Sequence, residues 1–286
     1  LSAREGELQR VRIVTDSTAD LPQELADELG VRVIPCEVVF GDRAYRDRVD
    51  LSPTEFYQKL SASPTLPTTV HPPIGSFIEC YRELLDEGAA ILSLHISLTL
   101  SSVCNAARFA VEQFPDDSPI VVIDSRQLSM GLGLLVIELA QAATRGGDLP
   151  EMVNLASQVI PRLRVAAMLD NLEYVRRGGR ISRTAALVGA LLSLKPVFQV
   201  VNGQVSALQN ARTRKRALRR LFEFVDGLGQ PQSLAVMHAT QPQLAWEVRE
   251  QLAGSYPDRP VWFTEAGPAV GTHVGPGAIG VACLLG

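Results

Sequence analysis

The sequence is poor in the residues from which most catalytic and metal sites are assembled. Four histidines, His71, His95, His238 and His273, are spread over 286 residues without the close spacing of a metal site. The four cysteines, Cys36, Cys80, Cys104 and Cys283, include no CxxC pair. Three of them lie in apolar stretches, so they read as small core hydrophobes in a reducing, cytoplasmic compartment rather than as disulfides. There is no G-x-x-x-x-G-K-[ST] loop and no G-x-S-x-G elbow. Gly275–Gly280 matches G-x-G-x-x-G, but it stands too near the last residue for the acidic partner that a dinucleotide site needs about 20 residues later. No apolar run reaches the ~18 residues of a membrane span. A net charge of -4 argues against a nucleic-acid surface.

What is present is a globular composition, 46% hydrophobic, in a chain long enough for two domains. Residues 1–10 are polar and aperiodic; they lack the apolar centre of a signal peptide and are expected to be disordered. The first half alternates strand and helix signals. Strands are expected at Val11–Val14, Val31–Phe40 (interrupted by Pro35), Ala89–Ile96 and Ile120–Ile123. Helices are expected after the box-like Asp20-Leu21-Pro22-Gln23, after the capping box Ser52-Pro53-Thr54-Glu55, and over Ser76–Asp86, Val103–Phe114 and Leu128–Thr144. That alternation predicts a parallel sheet with helices on both faces. The second half mixes hairpins and helices: a strand at Val165–Leu169, an apolar helix over Thr184–Leu192, a hairpin turning at Asn202-Gly203, then Arg214–Val225, Leu234–Met237, Gln243–Leu252 and Val261–Thr264. The fold class expected is therefore an N-terminal parallel-sheet α/β domain, residues 1–160, and a C-terminal α+β domain with an antiparallel sheet, residues 161–286.

Two junctions carry Asp-Ser pairs, IVTDSTADLP and VVIDSRQLSMG. A phosphoryl-transferring Asp16 would want a second carboxylate two residues on, where Thr18 stands. Asp16 and Asp20 read as turn makers and helix caps. Two other segments are better placed for a ligand. PTTVHPPIG puts Thr68 and Thr69 before a proline-bounded helix, and HISLTLSSV puts Ser97, Thr99, Ser101 and Ser102 between a buried strand and a helix. In α/β sheets ligands bind beyond the carboxyl ends of strands, where helix N-termini favour an anion. Uncharged hydroxyls there make a candidate cradle for a carboxylate or phosphate, although capping accounts for the same residues from sequence alone.

Taken together, IVTDSTADLP, GDRAYRDRVDLSPTEFYQKL, the LPTT segment, VIDS…SMGLGLL, LEYVRRGGRIS, KPVF…NG, RTRKRA and EAGPAVGTHVGPGAIG resemble, in order, the DegV family, which includes the fatty-acid-binding subunits of bacterial fatty acid kinases. The resemblance implies the two-domain EDD fold. It also implies one long-chain fatty acid, such as palmitate, in an apolar interdomain tunnel, its carboxylate held by hydroxyls, and no other cofactor and no metal. A separate kinase subunit would phosphorylate that carboxylate, so the chain itself would be a non-catalytic carrier. By residue matching, Thr69 with Thr68, and Ser101 with Ser102, would hold the head group; Ser97 matches an earlier serine of the family motif. His273 would line the site, and Arg180 would shape the interdomain surface or receive the phosphate. The chain departs from the family at Val70-His71, Leu98, Ser102 and VCNAA. His71 reads either as an added donor or as a solvated loop residue.

The tail would supply most of the binding: about 14 methylenes at roughly 0.8 kcal/mol each give on the order of 11 kcal/mol before association costs. Gly131 and Gly133 among leucines, and Ala185, Ala186, Gly189 and Ala190, are the expected tunnel-lining stretches. The basic run Arg214, Lys215, Arg216, Arg219 and Arg220 reads either as a solvated helix paired with residues such as Glu223, or as a docking surface for the kinase. The rival reading is an enzyme acting on a small anion at the same strand ends, with His273 as base beside Ser101.

Overall fold

The computed structural model describes residues 10–170, 172–180 and 194–286. The expected helix Thr184–Leu192, with its tunnel-lining alanines, lies outside the described residues.

In chain order the elements are β1 (Val11–Asp16), α1 (Gln23–Glu28), β2 (Arg32–Ile34), β3 (Glu37–Phe40), β4 (Arg43–Arg46), α2 (Pro53–Ala62), β5 (Thr68–Val70), α3 (Ile74–Asp86), β6 (Ala90–His95), α4 (Val103–Val111), β7 (Ile120–Asp124), α5 (Met130–Thr144) and α6 (Leu149–Val159). There follow β8 (Leu163–Met168), α7 (Glu173–Gly178), β9 (Lys195–Val201), β10 (Gln204–Ala211), α8 (Arg214–Asp226), β11 (Pro231–His238), α9 (Pro242–Ser255), β12 (Val261–Glu265), α10 (Pro268–Val274) and β13 (Ile279–Leu285).

The first sheet has the order β2-β1-β6-β7 and is parallel throughout. β6 is fully buried because α3 and α4 cover one face while α5 covers the other. The second sheet has the order β10-β9-β8-β13-β11-β12. It is antiparallel except for the β11–β12 pair, which is parallel and joined through α9. The Asn202-Gly203 hairpin forms with φ of 50° and 81°, the left-handed pair that a two-residue turn needs. The change of sheet falls between α6 and β8.

Several expectations are corrected. Val31–Phe40 is not one strand: Pro35 separates β2, in the parallel sheet, from β3, which joins a small antiparallel sheet of order β4-β3-β5. A proline cannot donate to a ladder, and the break lets the chain change sheets. The capping box at Ser52 and Glu55 forms, but α1 is capped by no side chain. Asp20 instead takes a left-handed conformation and points away from α1. Gly131 and Gly133 do not face a tunnel. α5 lies between the two sheets, packed on β1 on one side and on β8, β11 and β13 on the other, so it is apolar nearly all round. A methyl on Gly131 would stand 2.4 Å from Val165 Cγ2. Close helix-to-sheet packing is what these glycines provide.

Candidate functional site

Where α5 does not fill the gap between the sheets, a cavity remains. It encloses about 1060 Å³ of space between the atoms, part of it open to solvent. Its walls are apolar: Ile96, Leu100 and Leu128 from the first part of the chain, Ala167 and Phe198 from the second sheet, Val270 from α10. Leu128, Val165, Ala167, Val270 and Val274 also line a further space of about 370 Å³ that continues towards Met237 and Gly280.

Thr18 and Gln199 interrupt these walls, and a group of polar residues gathers beside an outer hollow. Thr69, Arg180 and His273 line both the cavity and an outer hollow bounded by Thr65, Tyr174 and Arg177. Thr69 is not on a loop, as the sequence suggests, but in the middle of β5, paired with Val38 of β3. Strand alternation sends its neighbour the other way: Thr68 is exposed and borders only the outer hollow. Ser101 and Ser102 line the cavity just ahead of α4. Ser101 Oγ accepts a weak bond from the Val103 amide at 3.4 Å, and Ser102 is exposed and makes no capping bond. Ser97 and Thr99 serve another purpose: both hydroxyls donate to the carbonyl of Gly203, latching the loop to the β9–β10 turn. His71 lines the cavity, with Nδ1 engaged at 2.7 Å by the carbonyl of Pro72.

His273 joins the two halves of the polar end. Its Nε2 lies 2.9 Å from Thr69 Oγ1. Burial first, and the Arg180 charge second, push its pKa down to about 4, so the ring is neutral near pH 7. Among the described residues its buried Nδ1 has no hydrogen-bond partner. Sequence reasoning missed what seats the ring: the backbone of Gly178 passes so close that a methyl there would stand 2.3 Å from Nδ1. The Gly-Gly before Arg180 was the available signal. Arg180 donates from Nη1 to Gly178 O at 2.6 Å and from Nε to Leu100 O at 3.3 Å, bridging the second part of the chain to the loop before α4.

The nucleophile–base pair that the enzymatic reading wants is not assembled at this mouth. His273 Nε2 meets Thr69 rather than Ser101, and among the described residues no carboxylate orients its Nδ1. A serine–histidine–aspartate array does occur elsewhere: Ser93 Oγ lies 2.7 Å from His95 Nε2, and His95 Nδ1 lies 2.9 Å from Asp16 Oδ2. All three are fully buried, Tyr81 OH donates to Ser93 at 2.7 Å, and the Phe77 ring packs edge-on against His95. This array ties β1 to β6. Among the described residues, no cluster of His, Cys, Asp and Glu could hold a metal ion, and no helix is long and apolar enough to cross a membrane.

The basic run is partly committed. Arg214 is held by Asp170 at 2.6 Å, which also takes Lys195 at 2.8 Å, and Arg219 and Arg220 pair with Glu223. Lys215 and Arg216 are exposed.

Comparisons with known proteins agree with this architecture. The profile of "Uncharacterised protein, DegV family" matches residues 10–285. Protein DegV of Bacillus subtilis is 32% identical over 275 residues, 95% of this chain and 98% of that one. A DegV domain-containing protein of Streptomyces coelicolor is 35% identical over 277 residues, 96% of this chain and 98% of that one. The solved fatty-acid-binding DegV family protein from Thermus thermophilus superposes with a TM-score of 0.89 at 32% identity, covering 97% of this chain and all of that one. The crystal structure of DegV, a fatty acid binding protein from Bacillus subtilis, has a TM-score of 0.89 at 31% identity over 96% of this chain and 99% of that one. With the profile match spanning nearly every described residue, the chain belongs to the DegV family.

Proposed function

We propose that this protein binds one long-chain fatty acid, such as palmitate, with its tail in the apolar cavity and its carboxylate at Thr69, Ser101 and His273. The observation that carries the reading is the Thr69–His273 pair where a largely apolar cavity meets the outer hollow. A neutral imidazole with its proton on Nε2 donates to Thr69 Oγ1, which leaves the threonine hydroxyl proton free to turn to an anion. Ser101 supplies a second hydroxyl. Solved relatives described as fatty acid binding, at 31–32% identity, support the same assignment.

The protein then acts as a non-catalytic carrier of the bacterial cytoplasm. Residues 1–160 and 161–286 form the two domains that enclose the ligand, and a separate kinase phosphorylates the presented carboxylate. The outer hollow, with Arg177 and Arg180 on its wall, gives a phosphoryl donor an approach to the head group, and exposed Lys215 and Arg216 offer charge to an acidic kinase surface. Ser102 and Thr68 flank the site. The test is mass spectrometry of an organic extract of the purified protein beside a mock purification. One enriched fatty acid near one per chain is expected; no lipid, and no uptake when fatty acids are offered, would sink the reading.

A further inference from the structure

α10 carries His273 in its last turn, and its other end is held in an unusual way. Asp20 Oδ1 accepts the Gly267 amide at 2.8 Å, and Asp47 Oδ2 accepts the Ala269 amide at 3.2 Å. Both carboxylates are fully or almost fully buried, and both come from the first part of the chain. Each is itself pinned: Asp20 Oδ2 takes Ser129 Oγ at 2.6 Å, and Asp47 Oδ2 takes Ser17 Oγ at 2.8 Å. Arg48, in a left-handed conformation, reaches Asp20 Oδ1 at 3.3 Å and the Glu265 carbonyl just ahead of the helix. The fit over this knot is close. A methyl on Gly267 would lie 2.9 Å from both Arg48 Nε and Asp47 Oδ1, two buried atoms with no hydrogen-bond partner among the described residues. Farther along, Gly271 sits on Phe56 and Tyr57, and Tyr57 OH donates to Ala266 O at 3.2 Å.

We propose that Asp20 and Asp47 are positioning residues for the head-group site: by clamping the start of α10 to the first part of the chain, they fix the imidazole of His273 against Thr69. Two buried carboxylates are an expensive way to hold a short helix, and apolar packing would serve if stability alone were required. What they provide is a defined distance between α10 and β5, which lie far apart in the chain and meet at the ligand mouth. The inference rests on the fatty-acid reading, and its test separates the two.

Affinities for palmitate and for hexadecanol, which has the same tail without a carboxylate, are compared in the wild type, Asp47→Asn, Asp20→Asn and Gly267→Ala. The clamp predicts that the preference for palmitate falls about tenfold, or ~1.4 kcal/mol, while hexadecanol affinity is unchanged. Equal weakening of both ligands, or an unchanged preference in all folded variants, would overturn it. The His273 imidazole resonance, one of four histidines, gives a ligand-free readout. It shifts in the clamp variants if the inference holds and stays fixed if it fails. A wild type that takes up neither ligand removes the fatty-acid reading, and the resonance still decides the clamp.

Discussion

His273 is kept neutral by its surroundings, and that fixes what Thr69 can do. A protonated ring would attract a carboxylate to itself; a neutral one orders the threonine hydroxyl instead. We therefore expect Thr69→Ala and Ser101→Ala to weaken fatty-acid retention by roughly tenfold to a hundredfold each, since a hydrogen bond to a charged group contributes about 1.5–3 kcal/mol. Isothermal titration with palmitate checks this, and unchanged affinity in both variants would remove the two hydroxyls from the site. Gly178→Ala should weaken binding as well, because its methyl would displace the ring of His273. A retained resonance and affinity in that variant would contradict the seating described here. At this scale the sequence was informative about residue types and silent about pairing. Thr69, Ser101, Arg180 and His273, which line the cavity, were named through the family resemblance. The Thr69–His273 bond joins residues 204 positions apart and follows from no local pattern. Asp20 was misread because a carboxylate before a helix looks the same whether it caps that helix or reaches across to another.

Elements were legible where a single period or a single turn controls them. The capping box of α2, the Asn202-Gly203 turn and the alternating strands and helices of the first sheet appear as their residues indicate. α6 went unread although it opens on the same signal, Asp148 with Glu151 in a closed capping box. β13 went unread because its glycine-rich approach conceals a strand buried in all but its last residue. The glycines of α5 look alike whether they line a tunnel or admit a neighbouring sheet, and only the second sheet decides between the two. That placement predicts a stability effect rather than a binding effect. Gly131→Ala should destabilise the protein by about 1–3 kcal/mol through overpacking against Val165 and Gln127. Urea denaturation measures it, and a neutral result would mean the two sheets can part by a few tenths of an ångström without loss.

At the scale of the whole molecule, one hydrophobic cluster joins both sheets through α5, so the two parts should unfold together. Two buried groups then give stability opposite dependences on pH. His273 has its pKa lowered from 6.5 to about 4. Between those values the unfolded chain binds a proton that the native protein refuses, so this group makes stability rise with pH. Asp47 is raised from 3.8 to about 7 by burial. In that window the native protein holds a proton that the unfolded chain has lost, so this group makes stability fall with pH. Each contributes a slope of about 1.4 kcal/mol per pH unit, and the two largely cancel. Relative to wild type, His273→Gln should make stability fall more steeply between pH ~4 and ~6.5, and Asp47→Asn should make it rise. Denaturation midpoints across that range read both signs, and slopes of the same sign in the two variants would refute the assignment.

β13 has a consequence for how the protein is made. It lies in the middle of the second sheet, between β8 and β11, yet it follows every other strand of that sheet along the chain. On the ribosome, β8 and β11 both emerge before β13, and their facing edges stay open until it arrives. The first sheet draws on no residue beyond β7 and can form ahead of it. Synthesis therefore passes through a stage with one finished layer and one split layer, the stage at which this chain has most to gain from a chaperone.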